Sequence, residues 1–194
     1  MKRVLTALAA AALIITLGAC ASTPAADGSS SASAYPTPDQ SLIPKEAPAT
    51  VVDVDAASFA DQFGEYIFKV GEGPTWCTIS PAIDGDNSGG NVICEQNEAA
   101  ALYKPIPIPA SCDYSFGYQV RLMGVPGAVE GTDTASFTCA SGFYADPSEA
   151  PILAAGQRIT VAPFKCFVED VNVRCENETG QYIALGPKVW ALGN

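Results

Sequence analysis

The chain has 194 residues, 48% of them hydrophobic and 16% charged, with 21 Asp and Glu against 10 Lys and Arg for a formal net charge of -11. So acidic a chain repels phosphate backbones and anionic headgroups, which argues against nucleic acid as a partner and against adhesion through a basic patch. It contains no histidine, which excludes Ser-His-Asp and Cys-His hydrolases, histidine metal ligands and the commonest general base.

Met1-Lys2-Arg3 followed by an uncharged Ala, Leu and Ile-rich stretch over 4–17 has the positive start and apolar core of an export signal. The stretch is shorter than a stable membrane span needs. It runs into Leu17-Gly18-Ala19-Cys20, which resembles the lipobox of bacterial lipoproteins: a Leu three residues before Cys, then two small residues that a peptidase admits. The resemblance implies a diacylglyceryl group on the Cys20 thiol and cleavage before it. Residues 1–19 are then a signal peptide, and Cys20 anchors the protein on the extracytoplasmic face of the cell membrane. Each buried CH2 of the lipid contributes about 0.8 kcal/mol, and two or more acyl chains give durable anchoring. Residues 20–50 are dominated by Ala, Ser, Thr, Pro, Gly and Asp, with Tyr35 the only aromatic. They bury too little apolar surface to fold and are expected to form a disordered tether. Residues 51–194 suffice for one domain.

That domain is expected to be mainly β: a small antiparallel fold of hairpin repeats, stapled by disulfides, with one short N-terminal helix. Asp53 or Asp55 would cap the helix over 51–62, with Ala56, Phe59 and Phe63 at helical spacing. Runs rich in aromatic and β-branched residues follow at 66–70, 76–79, 91–95, 118–123, 136–140, 159–168, 171–176 and 182–185, separated by Gly, Pro, Asn and Asp; these are strand signals. Besides Cys20 there are six cysteines, an even number that points to disulfides outside the cytosol. Cys166 and Cys175 flank a turn over Glu169-Asp170 and suit a hairpin closed by a bridge. Cys77 and Cys94 frame a long polar loop and suggest a second bridge, which leaves Cys112 with Cys139. Six cysteines allow 15 connectivities, and nearest neighbours are the simplest. Cys94-Glu95-Gln96-Asn97-Glu98 and Cys175-Glu176-Asn177-Glu178 hint at a duplicated hairpin unit.

Three further pieces carry a family resemblance. They are Ile67-Phe68-Lys69-Val70 leading to Trp76-Cys77, then Val92-Ile93-Cys94-Glu95, and finally Gly156-Gln157 followed by Phe164-Lys165-Cys166 and Val173-Arg174-Cys175-Glu176-Asn177-Glu178-Thr179-Gly180. Over most of residues 64–192 the chain resembles a domain of unknown function found in secreted proteins and lipoproteins of actinobacteria. That family closes on Gly-Phe or His-Gly-Phe and a Ser after its glycine, where this chain has Gln181-Tyr182-Ile183-Ala184 after Gly180. The resemblance implies a disulfide-linked, mainly β extracytoplasmic domain and no particular activity.

Asp84, Asp86, Ser88 and Glu95 stand at positions 1, 3, 5 and 12 of a calcium-loop pattern, with Gly89 at 6. The flanks read as strands and not helices, and Asp-Gly and Ser-Gly-Gly are also what a long hairpin loop needs, so the plain loop is preferred. No metal or cofactor is expected. No pair of acids can be set at the separation a glycosidase needs. The stretch 104–109 alternates Ile106 and Ile108 with proline and is expected to be extended, with the isoleucines packing into the core in preference to meeting a partner. Trp76 and Trp190 could stack on sugar rings, but tryptophans in strands more often pack. Asn177-Glu178-Thr179 is a glycosylation sequon, which a bacterial chain has no use for. The function expected is non-enzymatic: an envelope lipoprotein whose domain binds an envelope protein through loops or a strand edge. The alternative is a calcium or small-ligand module built on the Asp84 to Glu95 loop.

Overall fold

A computed structural model describes residues 38–45, 49–83, 89–127 and 133–194. The signal, Cys20, most of the tether and the loop members Asp84, Asp86 and Ser88 lie outside the described residues.

Among the described residues, twelve strands form two six-stranded sheets. One runs in the order β6 (Ala135–Ala140), β5 (Ser115–Met123), β4 (Gly90–Gln96), β3 (Thr75–Pro81), β2 (Tyr66–Val70) and β7 (Ile152–Leu153). The other runs β1 (Val52–Asp53), β8 (Gln157–Val161), β9 (Phe164–Glu169), β10 (Asn172–Asn177), β11 (Tyr182–Gly186) and β12 (Val189–Gly193). Each is therefore a five-stranded antiparallel meander with one two-residue strand added in parallel at its edge. The two short strands are exchanged. β1 precedes the first meander but pairs with β8 of the second, and β7 precedes the second meander but pairs with β2 of the first. The sheets are thus mixed and not purely antiparallel, a correction that local patterning could not supply because a two-residue strand has no periodicity.

Alternation along the strands sets the core. Phe68 and Val70, Cys77 and Ile79, Val92 and Cys94, and Val120 and Leu122 point inward from one sheet. Ile159, Phe164, Cys166 and Val168, Val173 and Cys175, and Ile183 and Leu185 point inward from the other, all nearly or fully buried. At the centre the two buried bridges stand back to back. Cys77–Cys94 and Cys166–Cys175 each join directly paired residues, and Cys94 Sγ lies 3.9 Å from Cys175 Sγ. Cys112–Cys139 forms the third bridge, so the pairs are those that sequence order suggests.

The expected N-terminal helix over 51–62 is absent, and a single 3-10 turn, Ala56–Phe59, takes its place. Asp55 caps it by accepting from the Ala57 N–H at 3.0 Å. Phe59 is buried edge-on against Phe68, but Phe63 is 80% exposed. The chain turns instead at Asp61, whose side chain accepts from the N–H groups of Phe63 and Glu65. The run 159–168, which looks like one strand, is two, folded at a cis Ala162–Pro163 bond. Within the stretch expected as tether, Gln40–Leu42 form a 3-10 turn, Pro38 and Pro44 are buried, and the Pro44 carbonyl accepts from Arg174 at 3.4 Å.

Candidate functional site

Glu95 and Glu176, the residues after Cys94 and Cys175, alternate onto the outer face of their sheets. In one sheet Glu95 lies between Trp76 on β3 and Gln119 on β5; in the other Glu176 lies between Lys165 on β9 and Tyr182 on β11. A groove opens at each of these equivalent places, and their chemistry differs.

Glu95 is 1% exposed. Its Oε1 accepts from Trp76 Nε1 at 2.9 Å and from the Ala145 N–H at 3.1 Å, and its Oε2 from Gln119 Nε2 at 2.8 Å and the Tyr144 N–H at 2.9 Å. A buried carboxylate is tolerated because donors on every side replace its water. The bonds to Tyr144 and Ala145 fasten the connection between β6 and β7 across the sheet's outer face. Phe143 caps Trp76 edge-on, with centroids 4.9 Å apart. The Tyr144 hydroxyl donates to Glu65, which also accepts from Ser80. The Ser80 hydroxyl lowers the Tyr144 pKa, but burial and the negative charges of Glu65 and Glu95 outweigh it and leave the phenol above its usual range.

A second chain of bonds fixes the other wall. Buried Gln96 accepts from Thr75 and donates to the Tyr103 hydroxyl, which donates to the Gly117 carbonyl at 2.7 Å. Gly117 sits at φ +95°, where β5 breaks register, and a Cβ there would approach Ile106 to 2.9 Å. Ile106 is buried and Ile108 exposed, the alternation that an extended 104–109 implies. The break leaves Tyr118 stacked on Tyr103, with centroids 6.4 Å apart. Burial raises the Tyr118 pKa, and the charge of Glu98 and a hydrogen bond to it add to the rise. Burial pushes the Tyr103 phenol far above the ordinary tyrosine value against the opposing bond from Gln96.

Between these walls lies a groove of about 240 Å³. Its surface comes from Asn97, Glu98, Ser115, Tyr118, Ser141 and Phe143, over a floor of Glu95, Gln96 and Gln119. The groove at Glu176 is lined by Lys165, Arg174 and Glu178. Its charges compensate one another: Arg174 lies 3.6 Å from Glu176 and its guanidinium covers the Tyr182 ring at 3.8 Å.

Of the four candidate calcium ligands, only Glu95 lies among the described residues, and both its oxygens are taken by protein donors. Cys77, Cys94 and Cys175 come close enough together to hold a metal, but each is in a bridge. Asn177 is buried, donates to the Met123 carbonyl and accepts from Thr179 and Gln181, so the sequon is the turn between β10 and β11. Trp190 packs edge-on against Phe137. The free edge of β6 is met by Asn194, whose side-chain amide exchanges two bonds with the backbone of Ala135. Sequence reasoning missed Asn97, Glu98, Tyr118 and Phe143 as a group. The recurring Cys-Glu was the available signal. Comparison with known proteins finds no matching family model, no similar curated protein and no similar solved structure.

Proposed function

We propose that this chain is an envelope lipoprotein, anchored through Cys20, whose duplicated hairpin units form a non-enzymatic binding domain displayed outside the cytoplasmic membrane. The observation that carries the binding role is the groove over Glu95. Two separate hydrogen-bond chains hold its walls in place, and the Phe143 ring is left exposed at its rim, an apolar surface that a bound ligand would cover. The lipobox motif and the acidic surface support placement in the envelope. The two meanders with a bridge at the same register and Cys-Glu at the same place support the reading as hairpin repeats and agree with the resemblance to the actinobacterial domain. The partner is an envelope component held at the groove.

The test uses the full-length protein in cells. A clickable palmitate analogue labels the wild type and not Cys20→Ala. A photocrosslinking residue placed at Ser141, on the groove, gives a discrete adduct in the anchored form that is absent when the same residue replaces the exposed Ile108. Equal labelling of both forms removes the anchor, and equal crosslinking from both positions removes the groove as the binding site.

A further inference from the structure

Resting on that binding role, we infer that the groove over Glu95 seats one uncharged sugar ring of a longer glycan. Size is the first reason. A volume of about 240 Å³ falls below the range of about 300–1,000 Å³ that encloses drug-sized ligands, and it suits a single ring entering from an open side. A protein partner would need roughly 800 Å² of its own surface in contact, which so small a recess does not provide.

Charge is the second. None of the residues lining this groove is Lys or Arg, so an anionic ligand would meet carboxylates without a counter-charge. Glu95 offers a ligand no free acceptor, since four residues donate to it. Glu98 offers acceptor oxygens beside Tyr118. Asn97, Ser115 and Ser141 are exposed beside it, with donors and acceptors of both kinds. Sugar hydroxyls donate and accept at every ring carbon and match such a mixed set; an apolar ligand would desolvate it without replacement.

Aromatic placement is the third. Phe143, 57% exposed, lines the groove together with the half-buried Tyr118. A flat ring offers its face to the C–H side of a pyranose, and Phe143 is already oriented by Trp76 beneath it. At the equivalent groove the Tyr182 face is covered by Arg174, which confines the proposal to one of the two.

The experiment takes the full-length protein in a detergent without a sugar headgroup. It measures saturation-transfer NMR and calorimetric binding of neutral gluco-, galacto-, manno- and N-acetylglucosamine oligosaccharides, with benzyltrimethylammonium as a cationic probe. The expected result is binding of one neutral series, weakened at least about tenfold in Phe143→Ala with an unchanged melting temperature. Ser115→Arg, an exposed position that would fill the groove, is expected to abolish it. Binding of the ammonium probe alone, lost in both variants, overturns the sugar while leaving the groove as a ligand site. Binding of neither probe overturns the sugar, as does sugar binding that ignores both substitutions; the groove's binding role is then decided by the crosslink at Ser141.

Discussion

Glu95 shows what one residue does when its neighbours are fixed. Its carboxylate joins β3, β4, β5 and the 141–151 connection through Trp76, Gln119, Tyr144 and Ala145. In Glu95→Gln one acceptor oxygen becomes an amide that faces N–H donors. Equilibrium urea unfolding is expected to show a loss of roughly 3 kcal/mol, the scale of a charge-assisted bond replaced by opposed donors. Tyr103 makes a pH-dependent contribution of known sign. Its phenol stays protonated in the folded state well above the ordinary value, whereas the unfolded chain releases that proton near pH 10, as free tyrosines do at about that value. The folded state then binds more protons, so stability falls as pH rises above about 10, by at most about 1.4 kcal/mol per pH unit from this group. Tyr103→Phe loses the Gln96 and Gly117 bonds at neutral pH but is expected to fall less steeply between pH 10 and 11 in the same unfolding assay. Asp53 behaves oppositely. The bond from Arg158 holds its carboxyl below the usual range, so any stability from the pair is present above about pH 4 and lost as pH falls further; on an exposed surface it is small.

The three bridges differ more in burial than in span. The four cysteines of Cys77–Cys94 and Cys166–Cys175 are at most 1% exposed, whereas Cys139 is exposed. A mild reductant without denaturant is therefore expected to open Cys112–Cys139 alone, so that alkylation and peptide mass spectrometry find label on Cys112 and Cys139 only. Opening frees the 101–113 segment from β6 and costs about 3 to 4 kcal/mol by loop-closure reasoning. Groove binding is expected to weaken with it, because Cys139 precedes Ala140 and Ser141 at the rim. The strand pattern was readable in advance at 66–70, 91–95 and 182–185, where alternation and turn residues agree. It failed at β1 and β7, which are too short to alternate, and at the helix over 51–62. There Ala56, Phe59 and Phe63 have helical spacing, but Asp61 offers its backbone neighbours a turn that competes with the helix.

The described domain is two one-faced meanders that bury their inner faces against each other and trade edge strands. Residues 38–140 and 141–194 made as separate polypeptides would each expose an apolar sheet face, Phe68, Ile79 and Leu122 on one and Phe164, Val173 and Ile183 on the other. Each is expected to lack a dispersed amide NMR spectrum alone and to gain one on co-expression with its partner. Either half folding alone would show that the exchanged strands and the shared core are dispensable.

The amino-acid sequence by itself determined the acidic composition, the absence of histidine chemistry, the mainly β character and the supply of cysteines for three bridges. These depend on composition and on spacing within a few residues, where covalent geometry limits the choices. Only the tertiary structure decided which edge strands are exchanged and where each Cys-Glu pair leads. It also brought Tyr118, Glu98 and Phe143 to one groove. Those outcomes depend on how two sheets separated by tens of residues bury their faces, and the energy of that burial is not written in any local stretch.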